Sequence, residues 1–216
     1  MNKTDLKLYA ITDRQWLHGA SLSEHVKLAI EGGATMIQIR DKDILSKDSD
    51  AGLKDEYNEA LEIKRICHEH KVPLIINDNV QFAIDIDADG VHLGQDDMNP
   101  AEARKLLGTD KIIGVTAKTV EQAKKAQADG ADYLGSGAVF GSTTKLNAKP
   151  MTKELLSEIT AAVDIPVVAI GGINADNAST LKGTGIAGIA VVGAIFASED
   201  IKAAAKALAE ICDNML

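Results

Sequence analysis

Two carboxylates occupy matching places in the chain. Asp78 ends the apolar run Ile75-Ile76-Asn77-Asp78, and Asp97 closes Gly90-Val91-His92-Leu93-Gly94-Gln95-Asp96-Asp97 one short unit later. If both runs are parallel strands of one sheet, the two acids emerge side by side at the same edge. Mg²⁺ keeps several waters and takes only one or two protein carboxylates, so such a pair suits Mg²⁺ holding a substrate phosphate. The plainer role for either acid is a helix N-cap just after a strand. Cationic and amide groups fall in a comparable position after the apolar run that ends in Gln38-Ile39-Arg40-Asp41-Lys42. Alternation along a strand puts Gln38, Arg40 and Lys42 on one side of it. Arg40 offers phosphate oxygens a planar fork and Lys42 a point charge. A solvated pair with Asp41 or Asp43 is the alternative for Lys42.

Further polar residues follow the other apolar runs. Thr116 presents a hydroxyl after Gly114-Val115, as a substrate contact or as an N-cap or turn residue. His92 alternates with apolar neighbours and reads most simply as a hydrogen-bonded core histidine. The Gly-rich stretch from Gly135 to Lys145, with Ser142, Thr143 and Thr144, suits an anion-binding lid that Phe140 could hinge or seal. A mobile surface loop is the alternative. The stretch lacks the Gly-Lys-Ser/Thr of a Walker loop, and the chain has neither HExxH nor clustered Cys/His spacing for zinc. Gly171-Gly172 and Val192-Gly193 follow two more strands, each before an expected helix start, where backbone N–H groups can form a phosphate cup. Simple tight turns are the alternative there. The chain thus offers a backbone-built pocket for a monophosphate and a second pocket for a diphosphate. Arg40, Lys42, Asn77, Lys145 and a carboxylate-bound Mg²⁺ make up the second.

Placing these groups around one mouth requires a repeating scaffold. Strand-like runs fall near Leu8–Thr12, Thr35–Ile39, Leu74–Asn77, Gly90–Leu93, Ile112–Val115, Tyr133–Gly135, Val167–Ile170 and Gly188–Val192. Most are β-branched and continuous, as expected of strands covered on both faces. Helical spacing marks Ser23–Glu31, Lys54–His70, Val120–Asp129, Thr152–Ala162 and Ile201–Cys212, with a very short helix near Val80–Asp85. Glycines at 32–33, 108, 130 and 183 or 185 sit where helices should end, and Pro73 and Pro166 just before buried strands. The pattern predicts an α/β fold, a (β/α)₈ TIM barrel in a single domain over residues 1–216. A doubly wound open sheet is the alternative. Residues 41–52 read as one long loop.

The net charge of −9 argues against nucleic acid as a partner, although a few focused cations still favour small anions locally. No apolar run approaches the roughly 20 residues that span a bilayer, and a cytoplasmic location with no membrane partner is expected. Cys67 and Cys212 lack metal-type spacing and read as reduced, partly buried thiols. A homo-oligomer is compatible with the sequence.

Along nearly its whole length the chain resembles thiamine phosphate synthase. The matching pieces are Leu8-Tyr9-Ala10-Ile11-Thr12-Asp13, Gln38-Ile39-Arg40-Asp41-Lys42, Ile76-Asn77-Asp78, Val91-His92-Leu93-Gly94-Gln95-Asp96-Asp97, Thr144-Lys145 and Gly171-Gly172-Ile173. The resemblance implies a Mg²⁺-dependent transferase, with one ion per subunit. Its small-molecule substrates would be 4-amino-5-hydroxymethyl-2-methylpyrimidine diphosphate and 4-methyl-5-(2-phosphoethyl)thiazole, and its products thiamine phosphate and pyrophosphate. It further implies that Arg40, Lys42, Asn77 and Lys145 bind the diphosphate and that Asp78 and Asp97 bind Mg²⁺. Gln38 would contact the pyrimidine and Thr116 the reacting groups. Ser142 and Thr144, with Gly172 and the Val192-Gly193 backbone, would hold the thiazole phosphate.

The chain departs from that family in places. Gly137-Ala138 and Gly141-Ser142 stand where Gly-Pro and Pro-Thr are common, and Thr116 and Gly193 where Ser is common. Losing two prolines should leave the lid more flexible. The loop after strand two is a few residues longer than usual. A thiazole tautomerase on the same barrel is the nearest rival, but it uses a His after strand five, where this chain reads Ala117-Lys118-Thr119. A non-catalytic phosphate-binding barrel is the rival from another class.

Overall fold

The computed structural model describes residues 1–40, 50–141 and 150–216. Its parallel strands follow one another around a closed barrel in chain order. They are β1 (Leu8–Ile11), β2 (Met36–Ile39), β3 (Leu74–Asn77), β4 (Gly90–Leu93), β5 (Ile112–Thr116), β6 (Tyr133–Gly137), β7 (Val167–Ile170) and β8 (Gly188–Val191). Around them run α1 (Leu22–Glu31), α2 (Asp50–Glu69), α3 (Val80–Asp85), α4 (Pro100–Leu107), α5 (Val120–Ala128), α6 (Lys153–Ala161), α7 (Gly193–Phe196) and α8 (Ile201–Met215). The barrel, not the open sheet, is the fold. No described helix is long and apolar enough to cross a membrane.

Two expectations need correction. Residues 50–52 belong to the first turn of α2, so the connection after β2 is shorter than the sequence suggested. Helical spacing is weak there because Gly52 interrupts it. The glycines after β7 do not open an α-helix: the segment that returns to β8 carries only a 3₁₀ turn at Ala178–Leu181. Both α7 and α8 follow β8 instead.

Strand alternation divides the core into two layers. Tyr9, Ile11, Met36, Ile75, Ile112, Tyr133, Val168 and Ala190 pack together inside the barrel. Their neighbours, such as Leu8, Ile37, Ile76, Val91, Ile113, Leu134 and Val167, pack outward in the layer beneath the helices. Both faces are therefore buried, which is why these strands are continuous apolar runs. Pro73 and Pro166 lack an N–H, yet their carbonyls accept from Ile37 and Leu134 at 3.1 and 2.9 Å, so each joins its neighbouring strand without needing a donor. Gly32 lets α1 press on α8: a Cβ there would lie 2.5 Å from the Lys202 carbonyl oxygen. Cys67 and Cys212 are free and buried, and burial pushes their thiols up to about 12 and about 11.

Candidate active site

The acidic pair forms where β3 and β4 end. Register places Asn77 opposite His92, and the Asp78 amide donates to the His92 carbonyl at 2.8 Å. Asp78 then turns out of the sheet with φ 61°, a left-handed conformation that Asp adopts more readily than most residues. Neither acid caps a helix. Asn79 caps α3 by accepting from the Phe82 amide, and Asn99 caps α4 by accepting from the Ala101 amide. Asp97 instead accepts from the Gly94 amide at 2.6 Å, which folds the turn back over the strand end. This brings the two carboxyl groups together. Burial, followed by the hydrogen bond and like charge of Asp97, raises Asp78 to about 6, while Asn77 and Arg40 pull it the other way. The Asn77 amide donates to Asp78 Oδ2 at 2.5 Å. No cluster of three or more His, Cys, Asp or Glu suited to a metal occurs among the described residues.

Arg40 lies beside that pair. Its amide is fixed by the Thr12 hydroxyl at 3.1 Å, and its guanidinium stands 3.8 Å from Asp13. Among the described residues, so loose an ion pair leaves most of the guanidinium fork for another acceptor. Asp13 is itself engaged by the backbone and side-chain nitrogens of Gln15.

Gln38 points into the barrel and is buried, where its amide nitrogen donates to the Tyr9 hydroxyl at 2.5 Å. Tyr9 and Tyr133 share a hydrogen bond of 2.8 Å, Tyr133 reaches His92 Nδ1 at 3.0 Å, and His92 Nε2 reaches Thr116 Oγ1 at 3.1 Å. Five side chains from β2, β1, β6, β4 and β5 thus form one continuous chain across the interior. Thr116 is no cap, because Thr119 caps α5. Its carbonyl holds the Gln95 amide at 2.5 Å. Burial pushes His92 down to about 4, so the ring is neutral at ordinary pH.

Sequence reasoning missed Tyr9 and Tyr133. The available signal was glycine at interior positions. Gly114 lies in register between His92 and Tyr133, and a Cβ there would sit 2.1 Å from Tyr133 Cζ. Gly135 likewise leaves room for the His92 ring, 3.1 Å from where its own Cβ would be.

The third part of the mouth comes from β6, β7 and β8. Val139 and Phe140 extend the pairing past the strand ends by donating to Ile170 and Gly171, and Met151 returns to bond Ala138. Gly171 and Gly172 have φ of 101° and 67°, and a Cβ on Gly172 would meet the Phe140 carbonyl oxygen at 2.7 Å. Asn177 donates to the Gly172 carbonyl and accepts from the Asn174 amide, which staples this turn. Gly193 opens α7 just after Val192, and a Cβ on it would lie 3.2 Å from the Trp16 ring. Lys42, Ser142, Thr144 and Lys145, together with Asp41 and Thr143, lie outside the described residues.

Fold and mouth together define a β/α barrel whose polar side chains collect at the C-terminal strand ends, the end at which such barrels carry their chemistry. Known proteins narrow this further. The family model described as thiamine monophosphate synthase matches residues 8–195. The thiamine-phosphate synthase of Ruminiclostridium cellulolyticum is 48% identical over 213 residues, covering 99% of this chain and 98% of that protein. The one from Clostridium novyi is 48% identical over 206 residues, covering 95% and 98%. The thiamine phosphate pyrophosphorylase structure from Pyrococcus furiosus superposes with a TM-score of 0.88 at 38% identity, covering 99% of this chain and 98% of that one. The chain belongs to the thiamine monophosphate synthase family, and is an enzyme of the transferase class.

Proposed function

We propose that this chain joins 4-amino-5-hydroxymethyl-2-methylpyrimidine diphosphate to 4-methyl-5-(2-phosphoethyl)thiazole, giving thiamine phosphate and pyrophosphate. The observation that carries this reading is the meeting of Asp78, Asp97 and Arg40 at one mouth in a chain of this family. Two carboxylates held together, one of them raised in pKa first by burial and then by its neighbour, are a donor set that a divalent cation relieves, and Mg²⁺ accepts so small a set when phosphates and waters complete it. Asp78 and Asp97 would hold one Mg²⁺, which when bound supplies positive charge against the diphosphate.

The protein's own residues do the rest. Arg40 and Asn77, with Lys42 and Lys145, bind the diphosphate and stabilise it as it leaves. Gln38 orients the pyrimidine, whose amino group stabilises the methylene cation that remains. Gly172, Val192 and Gly193, with Ser142 and Thr144, hold the thiazole phosphate so that the ring nitrogen lies close to that cation. Among the described residues, no hydrogen bond engages the amides of Gly172 and Gly193, which leaves both for a phosphate. A thiazole nitrogen carries its own lone pair, so no general base is needed. His92, held neutral within the barrel, is consistent with a reaction that moves no proton at the attack step.

Pyrophosphate release with both substrates and Mg²⁺, compared with Asp78→Ala, tests this. We expect release only when both substrates and the ion are present, and loss in the variant with folding retained. Isomerisation of the thiazole without pyrophosphate would favour the tautomerase, and binding without turnover a regulator. Full activity in excess chelator would remove the metal from the scheme.

A further inference from the structure

The interior hydrogen-bond chain has a direction, and its direction settles which face the Thr116 hydroxyl shows the mouth. A side-chain amide nitrogen can only donate, and Gln38 Nε2 donates to Tyr9. Tyr9 is buried, and the only other partner of its hydroxyl among the described residues is Tyr133. If Tyr133 donated to Tyr9, the Tyr9 phenol proton would be left in the core without an acceptor, a cost that buried polar groups avoid. Tyr9 therefore donates to Tyr133. Tyr133 in turn spends its proton on His92 Nδ1, which leaves the His92 proton on Nε2 and aims it at Thr116 Oγ1. Thr116, its lone pair engaged from behind, keeps its own hydroxyl proton for the mouth. Burial raises both phenols well above their ordinary range and lowers the imidazole, so no member of the chain changes charge at neutral pH.

We propose that Tyr133 is a positioning residue: by bridging Tyr9 and His92 it fixes His92 as the Nε2–H tautomer and thereby presents Thr116 to the substrates as a hydrogen-bond donor. Tyr133 itself touches no substrate. Its ring crosses the barrel over Gly114, tilted 39° to the imidazole with centroids 5.5 Å apart, and meets Tyr9 edge-on at 74°. A donor at Thr116 suits an acceptor on a reacting group, such as the oxygen bridging the pyrimidine methylene to the departing diphosphate. The proposal deepens the function assigned above and rests on it for the role of Thr116.

The tautomer is measurable without any substrate. Nitrogen-15 chemical shifts of the histidines, with His92 assigned by His92→Gln, should show Nδ1 unprotonated and Nε2 protonated at neutral pH. A protonated Nδ1 overturns the proposal whatever reaction the enzyme catalyses. Tyr133→Phe keeps the ring and removes only the bridge. We expect it to mix the His92 tautomers and to lower kcat by roughly ten- to a hundredfold, since misplacing a reacting contact costs this much, with KM little changed. Thr116→Ala should then remove little more activity in the Tyr133→Phe background than the single changes predict for one shared unit. Losses that multiply independently, or an unaltered His92 signature in Tyr133→Phe, refute the positioning role. Should Tyr133→Phe fail to fold, the wild-type tautomer still decides. Failure of pyrophosphate release with the tautomer as expected would instead overturn the assigned reaction.

Discussion

Gly114→Ala tests the interior arrangement with a single methyl group. The added Cβ would lie 2.1 Å from Tyr133 Cζ and 2.3 Å from its oxygen, far inside contact distance. Tyr133 cannot swing away cheaply, because its side chain is fully buried and its hydroxyl bonds Tyr9 and His92. Overpacking a core costs about 1–3 kcal/mol. Breaking the phenol bridge leaves a buried polar group unsatisfied, about 1–3 kcal/mol more. The sum, about 2–6 kcal/mol, is a large part of the roughly 5–15 kcal/mol that holds a domain folded. Each kcal/mol lowers Tm by roughly 2–4 °C for a chain of this size, so a fall of about 5–20 °C is expected. Thermal unfolding followed by far-UV circular dichroism measures this fall, and urea unfolding the free energy, with the m-value as a check that the unfolding reaction is unchanged. Tyr133→Ala in the same chain removes the clash, and the two changes should couple favourably by about 1–3 kcal/mol in a double-mutant cycle. Stability of Gly114→Ala within about 0.5 kcal/mol of wild type, the range of an ordinary surface change, would mean that Tyr133 does not cross the barrel there.

Three other outcomes follow from the mouth and its surroundings. Arg40→Ala should lower kcat/KM by roughly a hundredfold or more, as expected for a lost charge-stabilising donor, with Tm nearly unchanged; intact turnover would place the diphosphate elsewhere. His92 is held at about 4, below the ordinary 6.5, so between these values the unfolded chain binds the extra proton. Its contribution is therefore complete above the ordinary value and is lost as pH falls toward about 4, and for a partly exposed ring we expect about 2 kcal/mol. The pH-dependence of stability should flatten in His92→Asn, and an identical slope would refute the neutral imidazole. Trp16 is the chain's lone tryptophan and borders Gly193, so its fluorescence should change saturably on adding the thiazole phosphate. Emission that stays constant while calorimetry records binding would separate Trp16 from that pocket.

Strand positions were readable because burial on both faces writes a strand as an uninterrupted apolar run. Ile112-Ile113-Gly114-Val115 and Val167-Val168-Ala169-Ile170 leave little choice, and even the six-residue α3 showed through its flanking strands. The unit between β7 and β8 was misread for a related reason. Glycines that follow a strand signal a turn, but they do not say whether a helix or a stapled loop comes next. Asn174 and Asn177, which hold that loop, look in the sequence like ordinary cap residues. The pairing of Asp78 with Asp97 could be foreseen because adjacent parallel strands end at one rim. Its independence from helix capping was foreseeable too: Asn99 stands directly before Pro100, a cap followed by a first-turn proline.

The interior chain was harder to see, because tyrosine, histidine and glutamine in apolar strands each have an ordinary explanation. Their connection depends on which positions face inward at the same height, which only the register of the closed barrel supplies. Once Gln38 is opposite Ile11 and Gly114 lies between His92 and Tyr133, two glycines become openings and four unremarkable polar residues become neighbours. A barrel interior normally filled by branched aliphatic side chains here gives that volume to hydrogen-bonded rings. Aliphatic packing would have sufficed for stability, since fully satisfied polar networks rigidify a core without necessarily strengthening it. What the network adds is orientation: it ends in the half-buried Thr116 hydroxyl, at the same mouth as Arg40 and the acidic pair.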